Sequence, residues 1–371
     1  MKLNQGKIGR QEIVCAVAIT ACASGIFTPG SQTLYANGNP AYISMLLSAG
    51  LALCVFGLLV RAMRRTGAHT LWELLRFGLG SVAGRIAATF YTLLFILSAA
   101  SLLSRFTLLL GQFVFPLTPG WNILIYLLAA ACVPAWLGLE GLGRAARLLG
   151  WPMLFSLTLA LILAAGNYEP YRLAPFPGDS MPGLAGFGAR GTLFFLPALL
   201  GLLVVAKGAH GLSNAGKAGY IANAVSGVLA AVCRLCLGMS YSYKDLAQMH
   251  SPMYRLATGF KAEGYFSRLD VLLVFGWAMG GMLAAAFYIY AASYLYTNAF
   301  GQEDIRPSVA VFSGVAGAAA LAPHLQFAPP EAVMAFLSAY GYILMVAPLL
   351  MAAMIARAHV KRRRRARGGA V

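Results

Sequence analysis

The feature that most constrains this chain is a series of about ten long apolar runs joined by short connections. They lie near residues 11–36, 40–60, 84–114, 121–139, 151–166, 190–208, 218–240, 268–297, 307–322 and 332–356. A helix needs roughly 20 mostly apolar residues to cross the hydrocarbon core of a bilayer. Hydrophobic residues make up 60% of the 371, more than the core of a soluble domain requires. The sequence therefore predicts an all-α, multi-pass membrane protein with one membrane domain over residues 1–371.

The positions of the basic residues predict the orientation of these spans. The formal net charge of +17 is compatible with nucleic-acid binding, but the lysines and arginines cluster between and after the apolar runs. With the N-terminus inside, 20 of them fall on the inner side and six on the outer side, as the positive-inside rule requires. We expect both termini in the cytoplasm, no nucleic-acid partner, and a basic tail (357–371) that is attracted to anionic lipid.

The first span contains an interruption. Its sequence from Ile13 to Tyr35 is IVCAVAITACASGIFTPGSQTLY. Pro29 has no backbone N–H and clashes with the carbonyl four residues earlier, while Gly25 and Gly30 add backbone freedom. Backbone groups left unpaired at membrane depth are costly, so such breaks occur mainly where protein, water or a ligand satisfies them. The break indicates a ligand site, with a proline kink that neighbouring helices repair as the alternative.

The sixth span carries the same two residue types in reverse order. Pro197 and Gly201 lie seven and eleven residues from the outer edge of their span, the same distances as Pro29 and Gly25 from the outer edge of theirs. Matching breaks in spans of opposite direction, five spans apart, are what an inverted repeat of five plus five helices produces. The predicted units are a first repeat (11–166), an outer loop (167–189), a second repeat (190–356) and a cytoplasmic tail (357–371).

Two stretches resemble a known family. The Ser-Gly-Ile-Phe at residues 24–27 is typical of the amino acid–polyamine–organocation superfamily. The stretch 267–309, SRLDVLLVFGWAMGGMLAAAFYIYAASYLYTNAFGQEDIRPSV, is similar to the spore germination permeases, the permease-like B subunits of germinant receptors in endospore-forming bacteria. The resemblance covers essentially the whole chain and implies a LeuT-like fold with helices 1 and 6 broken. One departure is that the family often has an acidic residue in span six, whereas none lies between Arg190 and Val205.

Two arginines lie inside predicted spans, where a charge costs about 2.5–3.5 kcal/mol on insertion scales and needs a partner or a wet cavity. Arg105 is in the outer half of the third span, with Ser98, Ser101 and Ser104 beside it at helical spacing. We interpret it either as a carboxylate-binding or gating residue or as a snorkelling or helix-pairing one. Arg234 is nearer the outer end of the seventh span, and we expect it to snorkel.

The eighth span combines small residues with tyrosines. Its small-residue face, suited to close helix packing, consists of Gly276, Gly280, Gly281 and Ala284, and Tyr288, Tyr290, Ser293 and Tyr294 follow. The family resemblance implies that this span packs against the first, with Ser293 helping to coordinate a cation or substrate. A packing seam with hydrogen-bonded tyrosines is the alternative.

Two connections are expected to fold rather than merely turn. Arg65–Gly80 is a basic amphipathic inner segment in which Thr70 is placed to cap a helix, and we expect it to lie along the inner membrane surface. The outer loop 241–267 is expected to fold over the outer surface. The six cysteines are expected to be small buried hydrophobes, and the five histidines are scattered. We expect no metal site, no cofactor and no enzymatic activity.

The sequence thus predicts the permease-fold subunit of a germinant receptor, in the spore inner membrane or the bacterial plasma membrane. It would bind a small nutrient germinant, by expectation an amino acid, and assemble with a soluble-headed membrane subunit and a lipoprotein. A stand-alone amino-acid or cation-coupled permease is the alternative, and a structural membrane scaffold is a third. The residues expected to line the ligand cavity are Ser24, Gly25, Ile26, Phe27, Thr28, Ser101, Arg105, Phe194, Pro197, Gly201, Tyr288 and Ser293.

Overall fold

A computed structural model describes residues 8–27, 41–173, 181–249, 251–259, 269–322 and 331–368, with only the backbone described at 181, 269, 331–339 and 361–368. These ranges contain twelve α-helices, two short 3-10 helices and no strand. The α-helices are α1 (Arg10–Ile26), α2 (Ala41–Thr66), α3 (Leu71–Leu79), α4 (Ser81–Phe113), α5 (Gly120–Leu163), α6 (Met181–Val204), α7 (Leu212–Ser240), α8 (Tyr243–Gln248), α9 (Pro252–Thr258), α10 (Leu269–Phe300), α11 (Arg306–Leu321) and α12 (Glu331–Gly368). The 3-10 helices are Ala164–Asn167 and Pro170–Leu173.

Seven helices in the described ranges are long and apolar enough to cross a membrane, which confirms the prediction of a multi-pass helical membrane protein. The predicted fourth and fifth spans both fall in α5, which is interrupted at Gly138 by a φ of 86°. A positive φ of this size is accessible mainly to glycine, so this residue divides α5 into two segments. The predicted first and ninth spans correspond to the shorter helices α1, of 17 residues, and α11, of 16.

The first helix is buried and ends where the sequence predicts an interruption. α1 is regular through Gly25 and ends at Ile26, three residues before Pro29 in the sequence. It packs against α5, α6, α7 and α10, and nearly every residue from Ala16 onward is buried. The break thus places the last carbonyls of α1 among four other helices. Residues 28–40, with Thr28, Pro29 and Gly30 among them, lie outside the described part of the chain.

The interruption in the sixth span lies later than predicted. α6 remains helical through Pro197 and Gly201 and ends at Val204, and turns follow up to Gly211. Helices in membranes tolerate an internal proline when neighbouring helices or side chains compensate for the lost backbone hydrogen bond. α6 packs against α2 and α1, so Pro197 does not break it. The expected break at Pro197–Gly201 is therefore wrong in position.

The glycines of α10 allow close helix packing, as the sequence predicts. A Cβ at Gly276 or Gly280 would collide with Ser156 or Met153 of α5, and a Cβ at Gly281 would collide with Phe106 of α4. α10 therefore sits deeply between α4 and α5, and it also contacts α1.

The two connections that the sequence predicts to fold contain short helices, and their position relative to the membrane stays a prediction. The Thr70 hydroxyl caps α3 by accepting from the backbone N–H of Glu73 at 3.3 Å. The apolar face of α3 is covered by protein, because this helix packs on α12 and α4. In the outer loop, α8 follows α7 closely and α9 packs against α5, α7 and α10. Helix α9 thereby lies near the end of α1, at the end of the bundle that the sequence assigns to the outside.

Candidate functional site at the end of α1

Two arginines meet the last carbonyls of α1. Arg105, on α4, donates to the Ser24 carbonyl at 3.5 Å and to the Ser101 hydroxyl at 2.8 Å. Arg234, on α7, donates to the Gly25 carbonyl at 3.1 Å. The C-terminus of a helix carries a partial negative charge, which nearby cations stabilise. The two guanidinium groups therefore bind the end of α1 from two different helices.

The sequence explains why a side chain is needed there. In an unbroken helix the Gly25 carbonyl would accept from the backbone N–H of residue 29, but residue 29 is proline and has none. A buried carbonyl without a donor is costly, and Arg234 supplies a donor to it. Pro29 and Arg234 are thus linked by hydrogen-bond chemistry although 205 residues separate them in the sequence.

Aromatic residues form the walls around this end of α1. The Tyr288 hydroxyl of α10 is 3.3 Å from the Ser24 hydroxyl. The ring of Phe27, the residue after α1, lies against Phe106 and Trp277, with centroid distances of 5.6 and 5.1 Å. These contacts join α1, α4 and α10 around the two arginines.

A cavity opens beside Arg105. Its volume is about 90 Å³, and its walls include Ile26, Phe27, Arg105, Tyr254 and Trp277. One water needs about 10–15 Å³ of such space, so the cavity has room for several waters or for a ligand of a few non-hydrogen atoms. Larger grooves of about 670 and 800 Å³ lie elsewhere, but they are shallower and far from the broken end of α1. We call the cavity beside Arg105 the α1-end cavity.

One wall of the α1-end cavity is formed by the segment after α7. Ser251, Pro252, Met253 and Tyr254 contribute to its walls. Tyr254 stacks on Phe113 of α4 with a centroid distance of 3.6 Å and donates to the Asp270 carboxylate at 2.9 Å. Helix α9 is thereby attached to α4 and α10 above the cavity.

The structure brings together most of the residues that the sequence nominates. Ser24, Gly25, Ile26, Phe27, Ser101, Arg105 and Tyr288 lie at or next to the end of α1. Phe194 belongs to the same cluster, since its Cβ is 3.7 Å from the position that a Cβ on Gly25 would take. Thr28 lies outside the described residues. The role of each of these residues in binding stays a prediction.

Three nominated residues lie elsewhere. Pro197 is inside α6, and Gly201 faces Phe287 and Ala291 of α10 rather than the cavity walls. The Ser293 hydroxyl donates to the Ile289 carbonyl of its own helix at 2.8 Å and is fully buried. The structure therefore gives Ser293 a backbone acceptor one turn earlier, the ordinary arrangement for a serine inside a helix.

Sequence reasoning missed the role of Arg234 and the elements that cover the cavity. Arg234 is 1% exposed, so the expectation that it snorkels is wrong. It can be buried because the Gly25 carbonyl accepts from it and because small residues surround it on α7. A charged residue flanked by Gly227, Ala230 and Ala231 was the available signal. Trp277 and Tyr254 gave no such signal, because only the fold places them at the cavity.

Polar contacts join α3 to the end of α6. Lys207, in the turn after α6, pairs with Glu73 of α3 at 2.6 Å, and the Glu73 carboxylate also accepts from the His69 backbone N–H at 2.7 Å. The Ile8 N–H donates to the Gly208 carbonyl at 3.1 Å. Burial raises the pKa of Glu73, but the bonds from Lys207 and His69 outweigh burial, and the pKa is lowered overall. The carboxylate is therefore charged at neutral pH and holds α3 to the end of α6.

The broken first helix and the cavity beside it are typical of one class of membrane protein. A buried helix that ends among other helices, beside a small cavity, is the arrangement of membrane permeases with a LeuT-like fold. The solved structure of Mhp1, a nucleobase-cation-symport-1 family transporter in a closed conformation with bromovinylhydantoin bound, matches with a TM-score of 0.65 at 12% identity over 97% of this chain and 92% of that one. At this identity the match shows the fold alone, which confirms the predicted fold class.

The family follows from sequence comparison. Residues 7–324 match the family model described as "Spore germination protein", so the chain belongs to the spore germination permease family. Spore germination protein KB of Bacillus subtilis (strain 168) is 26% identical over 287 residues, which are 76% of this chain and 75% of that protein. Spore germination protein YndE of the same organism is 25% identical over 297 residues, which are 76% and 78% of the two chains. The predicted resemblance is confirmed, and neither the family nor the fold is that of an enzyme.

Proposed function

We propose that this protein is the ligand-binding, permease-fold subunit of a germinant receptor. In this proposal a small nutrient, an amino acid, binds in the α1-end cavity through its carboxylate. The observation that carries it is Arg105: a half-buried guanidinium that borders a small cavity and forms no ion pair within the described ranges. Family membership supports the germination role.

A carboxylate is the ligand group that suits this environment. Arg105 uses two of its N–H groups on Ser24 and Ser101, and a guanidinium carries five. The remaining donors can bind a carboxylate, the group that guanidinium matches best in geometry and charge. The other cavity walls are mainly apolar, so they suit the short side chain of a small amino acid and add little competing polarity.

The charges of Arg105 and Arg234 also bear on whether ligand binding is coupled to the binding of a cation. Broken helices in transporters present backbone carbonyls that bind a coupling cation. Here the Ser24 and Gly25 carbonyls accept from arginines, so positive charge is already in place at this end of α1. We propose that ligand binding needs no sodium ion at these two carbonyls.

A stand-alone permease is the second candidate function. The observation that favours it is the fold match to a solved transporter. A structural scaffold without a ligand would not explain an arginine that borders a cavity at membrane depth, because such a charge is costly.

Two measurements separate these functions. The purified protein is screened against the twenty L-amino acids by thermal shift in detergent, and the amino acids that raise the melting temperature are then tested for uptake by liposomes that contain the protein alone. A receptor subunit binds without transport above the empty-liposome background. Uptake by the protein alone would establish the permease, and the absence of any thermal shift or uptake would overturn both ligand-binding functions.

The same proposal includes the membrane, the partner subunits and the topology of the protein. We propose that it sits in the spore inner membrane or the plasma membrane, with a soluble-headed membrane subunit and a lipoprotein as partners, in two five-helix repeats with both termini cytoplasmic. Reporter fusions test the orientation. Inside signals are expected at Gly138, Gly211 and Gly301, and outside signals at Gly166, Ser240 and Ala322. One reversed fusion would contradict the repeat.

A further inference from the structure

A second groove lies on the exposed face of α2, near the end of this helix that the sequence assigns to the cytoplasmic side. It has a volume of about 800 Å³. One part of its wall is apolar and consists of Leu53, Cys54 and Leu58, and the other part carries Arg61, Arg64 and Arg65. Cys54 is exposed, contrary to the expectation that all six cysteines are buried. We call this the α2 groove, and it is separate from the α1-end cavity.

Three guanidinium groups converge on the α2 groove. Arg61, Arg64 and Arg65 are spaced at i, i+3 and i+4, which places them on one side of a helix, and all three are exposed. The ion pairs found within the described ranges involve other residues. The three positive charges therefore lie together without a carboxylate partner from the described part of the chain.

Tyr220 of α7 forms the opposite wall of the α2 groove. Its ring lies edge-on to Phe56 with a centroid distance of 5.4 Å. Its hydroxyl rests over Gly57, where a Cβ would come within 2.8 Å of the oxygen. Glycine at 57 thus leaves space for this hydroxyl, which reaches α2 one turn before Arg61. The groove has a fixed polar donor as well as three cationic ones.

The apolar wall continues along the membrane-facing side of α2. Leu58 is 43% exposed, and farther along the helix Leu47 and Leu51 are each 37% exposed. From Leu51 to Arg61 the helix rises about 15 Å at ~1.5 Å per residue. An acyl chain can run along this stripe while its headgroup lies at the arginines, an arrangement that a free anion in water would not use.

We propose that the α2 groove is a binding site for an anionic phospholipid. The lipid phosphate lies among Arg61, Arg64 and Arg65 and accepts from the Tyr220 hydroxyl, and an acyl chain follows Leu58 and Cys54. Guanidinium groups bind phosphate through paired, charge-assisted hydrogen bonds, and basic pockets between membrane helices bind anionic headgroups. The site connects α2 to α7, two helices that pack on each other and on α6, and α7 also packs on α1.

Native mass spectrometry of the full-length protein in detergent tests this site. Phosphatidylglycerol is titrated against phosphatidylcholine for the wild type, for the triple variant Arg61→Gln, Arg64→Gln, Arg65→Gln, and for Tyr220→Phe. Each arginine near a membrane surface contributes about fivefold to anionic-lipid binding, so the triple variant is expected to bind phosphatidylglycerol on the order of a hundredfold more weakly. Tyr220→Phe is expected to lose a few-fold. Phosphatidylcholine binding is expected to be unchanged.

The matched control removes three exposed arginines from other places: Arg76→Gln, Arg85→Gln and Arg147→Gln. It should retain phosphatidylglycerol binding within about twofold of the wild type. Equal losses in the two triple variants would show only the general attraction of basic residues for anionic lipid and would overturn the groove site. Displacement of phosphatidylglycerol by millimolar inorganic phosphate would also overturn it, because the acyl chain would then contribute nothing. Tyr220→Phe keeps the three charges and the fold, so the proposal stays testable if the triple variant fails to fold.

Discussion

Replacing Arg105 with glutamine should separate ligand affinity from stability. The guanidinium makes one good hydrogen bond, at 2.8 Å to Ser101, and one long bond, at 3.5 Å to Ser24. Each bond that involves a charged group contributes about 1.5–3 kcal/mol. The cost of an arginine at membrane depth is about 2.5–3.5 kcal/mol, and Arg105→Gln removes this cost together with the bonds. The two changes nearly cancel, so the melting temperature is expected to shift by no more than a few degrees.

The effect on binding is expected to be large and selective. Loss of a charged hydrogen bond to a carboxylate weakens binding by about 10- to 150-fold. We expect this loss for the amino acid that gives the largest thermal shift, measured by equilibrium binding to the purified protein. The corresponding amino-acid amide, which has no carboxylate, should bind weakly and equally to the wild type and Arg105→Gln.

The control is Arg85→Gln, since Arg85 lies on the same helix but is exposed. It should leave both the affinity and the melting temperature unchanged. The reasoning is refuted if Arg105→Gln keeps wild-type affinity for the amino acid while remaining folded. A melting temperature that falls by ten degrees or more would instead assign Arg105 a structural role in pairing α4 with α1.

Two further predictions concern the packing around Gly25 and Gly201 and the ion pair between Glu73 and Lys207. A Cβ at Gly25 would make only ordinary contacts, the nearest at 3.6 Å, whereas a Cβ at Gly201 would lie 2.7 Å from the ring of Phe287. Gly201→Ala should therefore lower the free energy of unfolding by about 1–3 kcal/mol, and Gly25→Ala should lower it by much less. Equal melting temperatures for the two variants would contradict this packing. The pKa of Glu73 is lowered in the folded protein, so its pairing with Lys207 should stabilise the fold above the ordinary carboxyl pKa of about 4.3, and this stabilisation should be lost as the pH falls through the lower folded pKa. The melting-temperature difference between the wild type and Glu73→Gln should be small because the pair is partly exposed, nearly constant from pH 5 to 8, and smaller as the pH falls below about 4.3. A difference that grows on acidification would contradict the pairing.

Much of the fold was predictable because it depends on local chemistry. Apolar runs fix the membrane helices, Thr70 caps α3, and the glycines of α10 allow close packing whatever surrounds them. The end of α1 at Ile26 was predictable because Pro29 cannot continue the backbone hydrogen bonds of the helix.

The remaining features depend on which helices become neighbours, and the sequence does not display this. Pro197 shares its chemistry with Pro29, yet α6 continues through it because α1 and α2 support it. Arg234 is close to the predicted outer end of its span, yet it is buried, because its partner is the Gly25 carbonyl on another helix. The walls contributed by Trp277 and Tyr254 come from distant segments that only the fold brings to the cavity.

A distance measurement in the ligand complex tests whether a ligand carboxylate binds at Arg105. The protein is prepared with ¹⁵N-labelled arginine and reconstituted into lipid with the screened amino acid labelled at its ¹³C-carboxyl. Solid-state NMR then measures the dipolar coupling between the two labels, and Arg105→Gln assigns the signal. If the carboxylate binds at Arg105, the coupling corresponds to carboxylate oxygens about 2.7–2.9 Å from guanidinium nitrogens, and it is lost in Arg105→Gln. A bound ligand with no carboxyl–guanidinium coupling, or with a coupling that persists in the variant, would contradict it.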